Sequence, residues 1–303
     1  MAPTLEVVIC TYNRAFILEK NLERLLPLVA GLDISVLVVD NNSNDNTAEC
    51  IERFRATYPN ILRSVHESAQ GLSHARNRGA AESKAQWIGY LDDDARVHAD
   101  WPARALAVIA SGDFDCFGGV FLPWHLFEGK PAWFPEESAT NVGTQQHYGL
   151  LPADAYPCGG NFFCRRGLIL AVGGFPVDLG MSGERCGYGE ETYFCDRLRE
   201  QGARIGFVPD LRIDHCVLPV KYTRAWHFDS AFAKGRDSWK ITGKRAGLGK
   251  ALGLALSLPF IAARDCVRGV AALRKAGGCT AESLAFYVGC RVWRRLGRIR
   301  GLF

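Results

Sequence analysis

The chain has 303 residues, 48% hydrophobic and 22% charged, which excludes a disordered or fibrous protein and allows one large domain or one domain with an extension. Net charge is +4, but residues 217–303 hold 17 Lys/Arg against 4 Asp/Glu, a net +13, while residues 1–216 carry −9. An acidic body with a basic tail points to an anionic surface as the tail's partner.

In chain order, residues 6–10 form a short apolar strand that ends at Thr11-Tyr12-Asn13-Arg14. Residues 16–28 have helical periodicity, with Leu18, Leu22, Leu25 and Leu26 on one face. Residues 34–39 form a second strand ending at Asp40, and the polar turn Asn41-Asn42-Ser43-Asn44-Asp45-Asn46 can cap a helix over 47–58. A third strand covers 61–66, a helix 71–84, and a fourth strand 87–91. Alternating strands and helices predict an α/β fold with a mostly parallel sheet flanked by helices.

The fourth strand closes on Asp92-Asp93-Asp94. Acid runs at strand ends are often solvated turns, but three adjacent carboxylates repel one another unless a cation lies nearby. An oxygen-rich site of this kind suits Mg2+ or Mn2+, which bind substrate phosphates. Ligands of parallel α/β sheets sit beyond the carboxyl ends of the strands. Thr11-Tyr12-Asn13, Asp40-Asn41-Asn42 and the acid triplet all fall there.

After Phe117 the pattern loosens, and Gly118–Asn161 is expected to be irregular, substrate-shaping loop. Residues 159–164 read as a strand entered by a tight turn. Gly189-Glu190-Glu191 opens a helix over 192–201, and 204–208 is a further strand followed by Ile213-Asp214-His215. The acids that open this helix also suit its dipole.

Six of these pieces occur together in the order seen in one family: Cys10-Thr11-Tyr12-Asn13-Arg14, Val38-Val39-Asp40-Asn41-Asn42-Ser43, Gly71-Leu72-Ser73-His74-Ala75-Arg76-Asn77, the aspartate triplet, Gly159-Gly160-Asn161 and Gly189-Glu190-Glu191. Over roughly residues 5–220 the chain resembles glycosyltransferase family 2, inverting nucleotide-sugar enzymes of the GT-A fold. The resemblance implies transfer of a sugar from a nucleoside diphosphate, here a uridine nucleotide, to an acceptor hydroxyl of a cell-surface or lipid-linked glycan.

It also implies site residues. Thr11, Tyr12, Arg14, Asp40 and Asn42 would meet the nucleotide, with Asp40 accepting from the base imide. Arg76 would lie near base and diphosphate. Asp93 would accept from a ribose hydroxyl, Asp94 would bind Mn2+ or Mg2+, and His215 would be a second metal ligand. The role of Asp92 stays open between nucleotide and metal. Gly160 and Asn161 would contact the donor sugar or phosphate. The family usually has Glu-Asp where this chain has Glu190-Glu191. By position Glu191 is the base, and Glu190 competes for the role. Gly187-Tyr188-Gly189 would let that loop close over the sugar.

Residues 221–303 are expected to be a basic, helical extension of a GT-A domain spanning 1–220. The uncharged run 251–263 is too short for a comfortable membrane span and is interrupted by Pro259. Residues 287–303 alternate apolar side chains with five arginines, as in a helix lying on an anionic membrane or docking on protein. No nucleic-acid recognition motif accompanies the charge. Eleven cysteines without a C-x-x-C pair read as free thiols of a reducing cytoplasm. The first residues carry no signal-peptide pattern. A cytoplasmic protein, peripheral at an inner membrane face, is expected, with oligomeric state open and a homodimer among the options. Two competing functions are a nucleotidyltransferase, for which residues 11–14 lack a glycine- and lysine-rich triphosphate loop, and an inactive sugar-nucleotide-binding partner protein.

Overall fold

The computed structural model describes residues 2–142, 147–242, 248–275 and 280–302. Two units are interleaved along the chain. Met1–Leu126, Glu136–Asp178 and Glu190–Cys216 form the first; Phe127–Pro135, Leu179–Gly189 and Val217–Phe303 form the second.

The first unit begins with strands β1 (Leu5–Thr11), β2 (Ile34–Asp40), β3 (Leu62–His66) and β4 (Trp87–Asp92), alternating with helices α1 (Ala15–Val29), α2 (Thr47–Thr57) and α3 (Leu72–Glu82). These strands pair in parallel in the order β3-β2-β1-β4. Strand side chains alternate between faces. Leu5, Val7 and Ile9 therefore join Leu18, Leu22, Leu25 and Leu26 of α1 in one core layer. Val8, with Leu37 and Val39, packs with Ala75 and Ala80 of α3 in the other.

Beyond β4 the sheet becomes mixed. Strands β5 (Ala95–Val97), β6 (Cys116–Trp124), β7 (Gly149–Leu150), β8 (Asn161–Arg165) and β9 (Ile205–Cys216) continue it as β8-β6-β9-β5, with β7 on β9. β8 is antiparallel to β4 and β6, whereas β6 and β9 are parallel. Helices α4 (Trp101–Ser111), α5 (Arg166–Ala171) and α6 (Glu190–Glu200) complete this unit. The irregular loop expected from residue 118 is corrected at its start, because β6 runs on to Trp124. β9 likewise extends well past residue 208. The two strands slip register at Gly119/Val120, a bulge that breaks the simple alternation a sequence pattern relies on.

The second unit holds helices α7 (Arg224–Thr242), α8 (Leu248–Lys275) and α9 (Ala281–Arg300). α9 packs closely on α7. A Cβ at Gly297 would overlap the Phe232 carbonyl, and the Trp293 ring stacks on Phe228 and meets Phe232 edge-on. α8 continues through Pro259 without a break, so that proline does not end the helical run. The loop expected to move freely is tied to α7: the Tyr188 amide donates to Asp237 Oδ2 at 3.1 Å and its hydroxyl bonds Ser230 Oγ at 2.7 Å. Among the described residues no helix is long and apolar enough to cross a membrane.

Candidate active site

Register brings the predicted strand ends together. Thr11 lies opposite Asp40, and Cys10 opposite Asp92. The loops after β1 and β2 are laced by two bonds, Asn13 N–H to Ser43 Oγ at 3.0 Å and Asn44 N–H to Asn13 Oδ1 at 2.8 Å. Asn13 and Asn42 both take positive φ, at 51° and 67°, which asparagine tolerates better than most side chains. Thr11 is buried, Tyr12 half-buried and Asn42 exposed. Asp40 Oδ1 accepts from the Ser43 amide at 3.0 Å, so one of its oxygens already orders the loop.

Three basic side chains share the triplet. Arg14 donates to Asp93 Oδ1 at 2.8 Å and to Asp94 Oδ2 at 3.3 Å. His215 Nε2 lies 3.2 Å from Asp94 Oδ1 and 3.8 Å from Asp92 Oδ2. Arg76 Nη2 lies 4.0 Å from Asp92 Oδ1. Burial, reinforced by Asp94, pushes the Asp92 carboxyl above the usual range despite Arg76 and His215. Burial also raises Asp93, against the pull of Arg14.

One ligand atom each from Asp92, Asp94 and His215 lie within 4.8 Å of one another. Two carboxylates and an imidazole suit a Mn2+- or Mg2+-type ion, and positive charge would offset the desolvation that raises Asp92. The residues therefore fit the cofactor expected from sequence, and Asp92 lies beside the two anticipated ligands.

Arg76 is the second centre. It is buried on α3, and its Nη1 faces Glu190 Oε1 at 3.4 Å and Glu191 Oε1 at 3.3 Å. Its guanidinium sits over the Phe175 ring, 5.1 Å from the centroid. α6 begins at Glu190 rather than at residue 192, which puts both glutamates in its first turn, where the helix dipole favours negative charge. Their surroundings differ. The Glu190 side chain is 5% exposed and that of Glu191 25%. Burial and the adjacent Glu191 hold the Glu190 carboxyl well above the usual range. Gly159 and Gly160 pass directly against this cluster. A Cβ at Gly160 would overlap the Asp92 carboxylate, and one at Gly159 both Arg76 and Glu191.

Asn161 is committed elsewhere. Its side chain is buried, accepts from Trp101 Nε1 at 3.0 Å, and donates to the carbonyls of Leu211 at 2.9 Å and Val120 at 3.3 Å. It braces β8, β6 and β9 from within. Sequence reasoning missed Asn21, whose Nδ2 donates to the Asp92 and Ala95 carbonyls, both at 2.9 Å, and so fixes the turn that carries the triplet. The signal was an amide set among Ile17, Leu18, Leu22 and Leu25 on the apolar face of α1. Asn41 was read only as turn: its Oδ1 accepts from Gly71 N–H at 2.7 Å and its Nδ2 donates to the Ala69 carbonyl at 2.7 Å, which anchors the start of α3.

The fold defines a class. Over 99% of this chain and 85% of the other, it superposes on a mannosyltransferase from Pyrobaculum calidifontis, PcManGT, solved with GDP-Man and Mn2+, at TM-score 0.61 and 21% identity. The architecture is thus that of the GT-A glycosyltransferases. Residues 6–170 match the sequence profile of Glycosyl transferase family 2, and the chain belongs to that family. Among curated relatives it is similar to glycosyltransferase AglE of Haloferax volcanii, 27% identical over 214 residues, spanning 69% of this chain and 66% of the relative. It is also similar to the glucosyl-dolichyl phosphate glucuronosyltransferase of the same organism, 25% identical over 235 residues, 76% of this chain and 74% of the relative.

Proposed function

We propose that this glycosyltransferase moves a sugar from a uridine diphosphate sugar to a hydroxyl of a lipid-linked or cell-surface glycan, by a single metal-assisted displacement with inversion. The observation that carries this reading is one shared guanidinium: Arg76 faces Asp92 of the acid–histidine cluster on one side and Glu190 and Glu191 on the other. A diphosphate site and a general base need to lie within one substrate's length of each other.

Asp92, Asp94 and His215 would hold the divalent ion, which when bound neutralises charge on the departing diphosphate. Thr11, Tyr12, Arg14, Asp40 and Asn42 line the strand ends proposed for the nucleotide, with Asp40 turned to the base and Asp93 to the ribose. Glu191 takes the proton from the acceptor hydroxyl, because its carboxylate is the more accessible of the pair, and a base must come within about 3 Å of the proton it removes. Arg76 holds Glu191 in place and keeps the buried Glu190 from displacing it. Gly160 lets the chain lie close to donor. With base and leaving group on opposite faces of the sugar, attack is in line and needs no covalent sugar–enzyme intermediate.

The lipid-linked acceptor is supported by the relative named as acting on glucosyl-dolichyl phosphate. An anionic membrane surface is the partner proposed for the tail, through α8 rather than α9. The apolar side of α9 packs on α7, while Leu252, Leu256 and Phe260 on successive turns of α8 are 60%, 68% and 79% exposed and Val267 73%. Exposed Arg264 and Arg268 follow on the same helix. An apolar stripe continued by arginines is the pattern of a helix lying in the interface of an anionic bilayer.

The test is turnover and isothermal titration of UDP-sugars with Mn2+ and with EDTA. Binding and transfer that need the metal support the assignment. Metal-independent transfer with retention at the anomeric carbon would overturn it.

A further inference from the structure

We propose that the cleft between α7 and α9 is a binding site for a phosphate-bearing group. It encloses about 490 Å³ and is walled by Lys234 from α7 and by Arg291, Arg294, Arg295 and Arg298 from α9, with no carboxylate in its lining. That volume lies within the range of small-ligand pockets.

The arginines recur at the spacing of one helix face. Like charges at such spacing repel, at about 0.2–0.5 kcal/mol per pair, so the arrangement needs negative charge to offset it. The protein supplies little. Asp265 of α8 pairs with Arg295 at 2.8 Å and lies 4.0 Å from Arg291. Among the described residues Arg294 and Arg298 have no carboxylate partner. Lys234 is also without one and rests its ammonium over the Tyr188 ring, 4.8 Å from the centroid.

The electrostatics agree. Burial, and then the charge of Arg294, lower the Lys234 ammonium below its ordinary range. Burial with Arg294 and Arg295 lowers Arg298 in the same direction. Both shifts come first from burial and then from neighbouring positive charge.

Guanidinium forks bind tetrahedral oxyanions such as phosphate through paired N–H donors. Two or more forks and an ammonium around one cleft suit a phosphate monoester or a diphosphate. The walls are fixed, because Gly297 sets α9 directly against the Phe232 carbonyl and Trp239 Nε1 donates to the Arg298 carbonyl at 2.7 Å. A phosphate could arrive as a soluble diphosphate or as the headgroup of an anionic lipid. None of its residues belongs to the cluster of Asp92, Asp94 and His215 or to Glu190 and Glu191.

The experiment uses the full chain in EDTA, so that the acid cluster binds no metal. Isothermal titration with inorganic pyrophosphate tests the soluble source. Flotation with phosphatidylglycerol vesicles, against phosphatidylcholine vesicles, tests the lipid source. The variants are Arg294→Gln/Arg298→Gln and, as a second removal from the other wall, Lys234→Gln. The control is Arg53→Gln/Arg55→Gln, which removes equal charge from exposed positions on α2 of the first unit. Circular dichroism and melting show that each is folded.

Pyrophosphate binding weakened about tenfold or more by the pocket variants, and not by the control, supports the site with a soluble ligand. Vesicle binding lost in the pocket variants alone, with no pyrophosphate binding, supports the site with a lipid headgroup. No binding in either arm, or equal loss in pocket and control variants, overturns it.

Discussion

Arg76→Met tests the arrangement of charges at the centre of the first unit. Arg76 is buried, faces Glu190 at 3.4 Å, Glu191 at 3.3 Å and Asp92 at 4.0 Å, and contributes a cation–π contact to Phe175. Methionine keeps much of the packing and removes the charge. Taking one partner from a buried ion pair costs about 3–5 kcal/mol, and that is the loss expected at pH 8. The cost is expected to fall with pH, and its sign follows from Glu190. Burial and Glu191 already raise its folded pKa above the ordinary value. A carboxyl with a raised folded pKa contributes stability that is fully present below its unfolded pKa, about 4.3, and lost as pH rises through the folded pKa. Removing Arg76 raises that folded value further and so extends the window upward. Each added unit is worth about 1.4 kcal/mol. Urea unfolding at pH 5.5 and pH 8, followed by the fluorescence of the buried Trp87 and Trp101, measures it. Adding Glu190→Gln to Arg76→Met should return about 1–3 kcal/mol by removing the orphaned charge. A cost under about 1 kcal/mol at pH 8, or one equal at both pH values, would refute the reasoning.

Asp94→Ala should abolish Mn2+-dependent binding of a UDP-sugar; titration of wild type and variant with Mn2+ present checks it, and unchanged affinity would count against the cluster. Glu191→Gln should lower turnover by at least about 10² and leave donor affinity unaltered; if Glu190→Gln does this instead, the base is Glu190. Asn161→Ala should cost at least about 2 kcal/mol in urea unfolding, since it leaves the Trp101 indole N–H and a buried carbonyl unpaired, whereas a donor-binding role would appear as lost affinity with stability kept. Leu256→Glu/Phe260→Glu should release the chain from anionic vesicles in flotation, while undiminished flotation would return the membrane contact to another face.

The first half of the sheet was legible because each of its elements obeys a single periodicity. Leu18, Leu22, Leu25 and Leu26 of α1 repeat at helical spacing, and β4 is one apolar run bounded by acids. The place of the candidate site was legible for the same reason: the residues proposed for it stand at the ends of regular strands. The roles of individual side chains were less so. Asn161 and Asn41 sit within or beside motifs that look functional, yet their amides are spent on carbonyls and donors of distant segments. A hydrogen-bond partner at a separation of 50 residues, as between Asn161 and Leu211, leaves no local mark in the sequence.

His215 shows how such non-local geometry brings a side chain to the candidate site. It lies far from the triplet in sequence, and a strand ending at residue 208 would leave its position undetermined. β9 continues instead, slips register opposite Gly119/Val120, and then pairs His215 with Ala95. The Cys216 amide donates to the Asp94 carbonyl at 2.8 Å, which locks the strand beside the turn it serves. Asn21 holds the other side of that turn through the Asp92 and Ala95 carbonyls. The backbone of the triplet turn is therefore clamped from two separate segments, by a main-chain amide of β9 and a side-chain amide of α1, so the separation of Asp92, Asp94 and His215 is set by the fold around them and not by the acids themselves. An arrangement built in this way holds mutually repelling carboxylates close together through the surrounding fold, and such prior positioning is what the metal site proposed above would draw on.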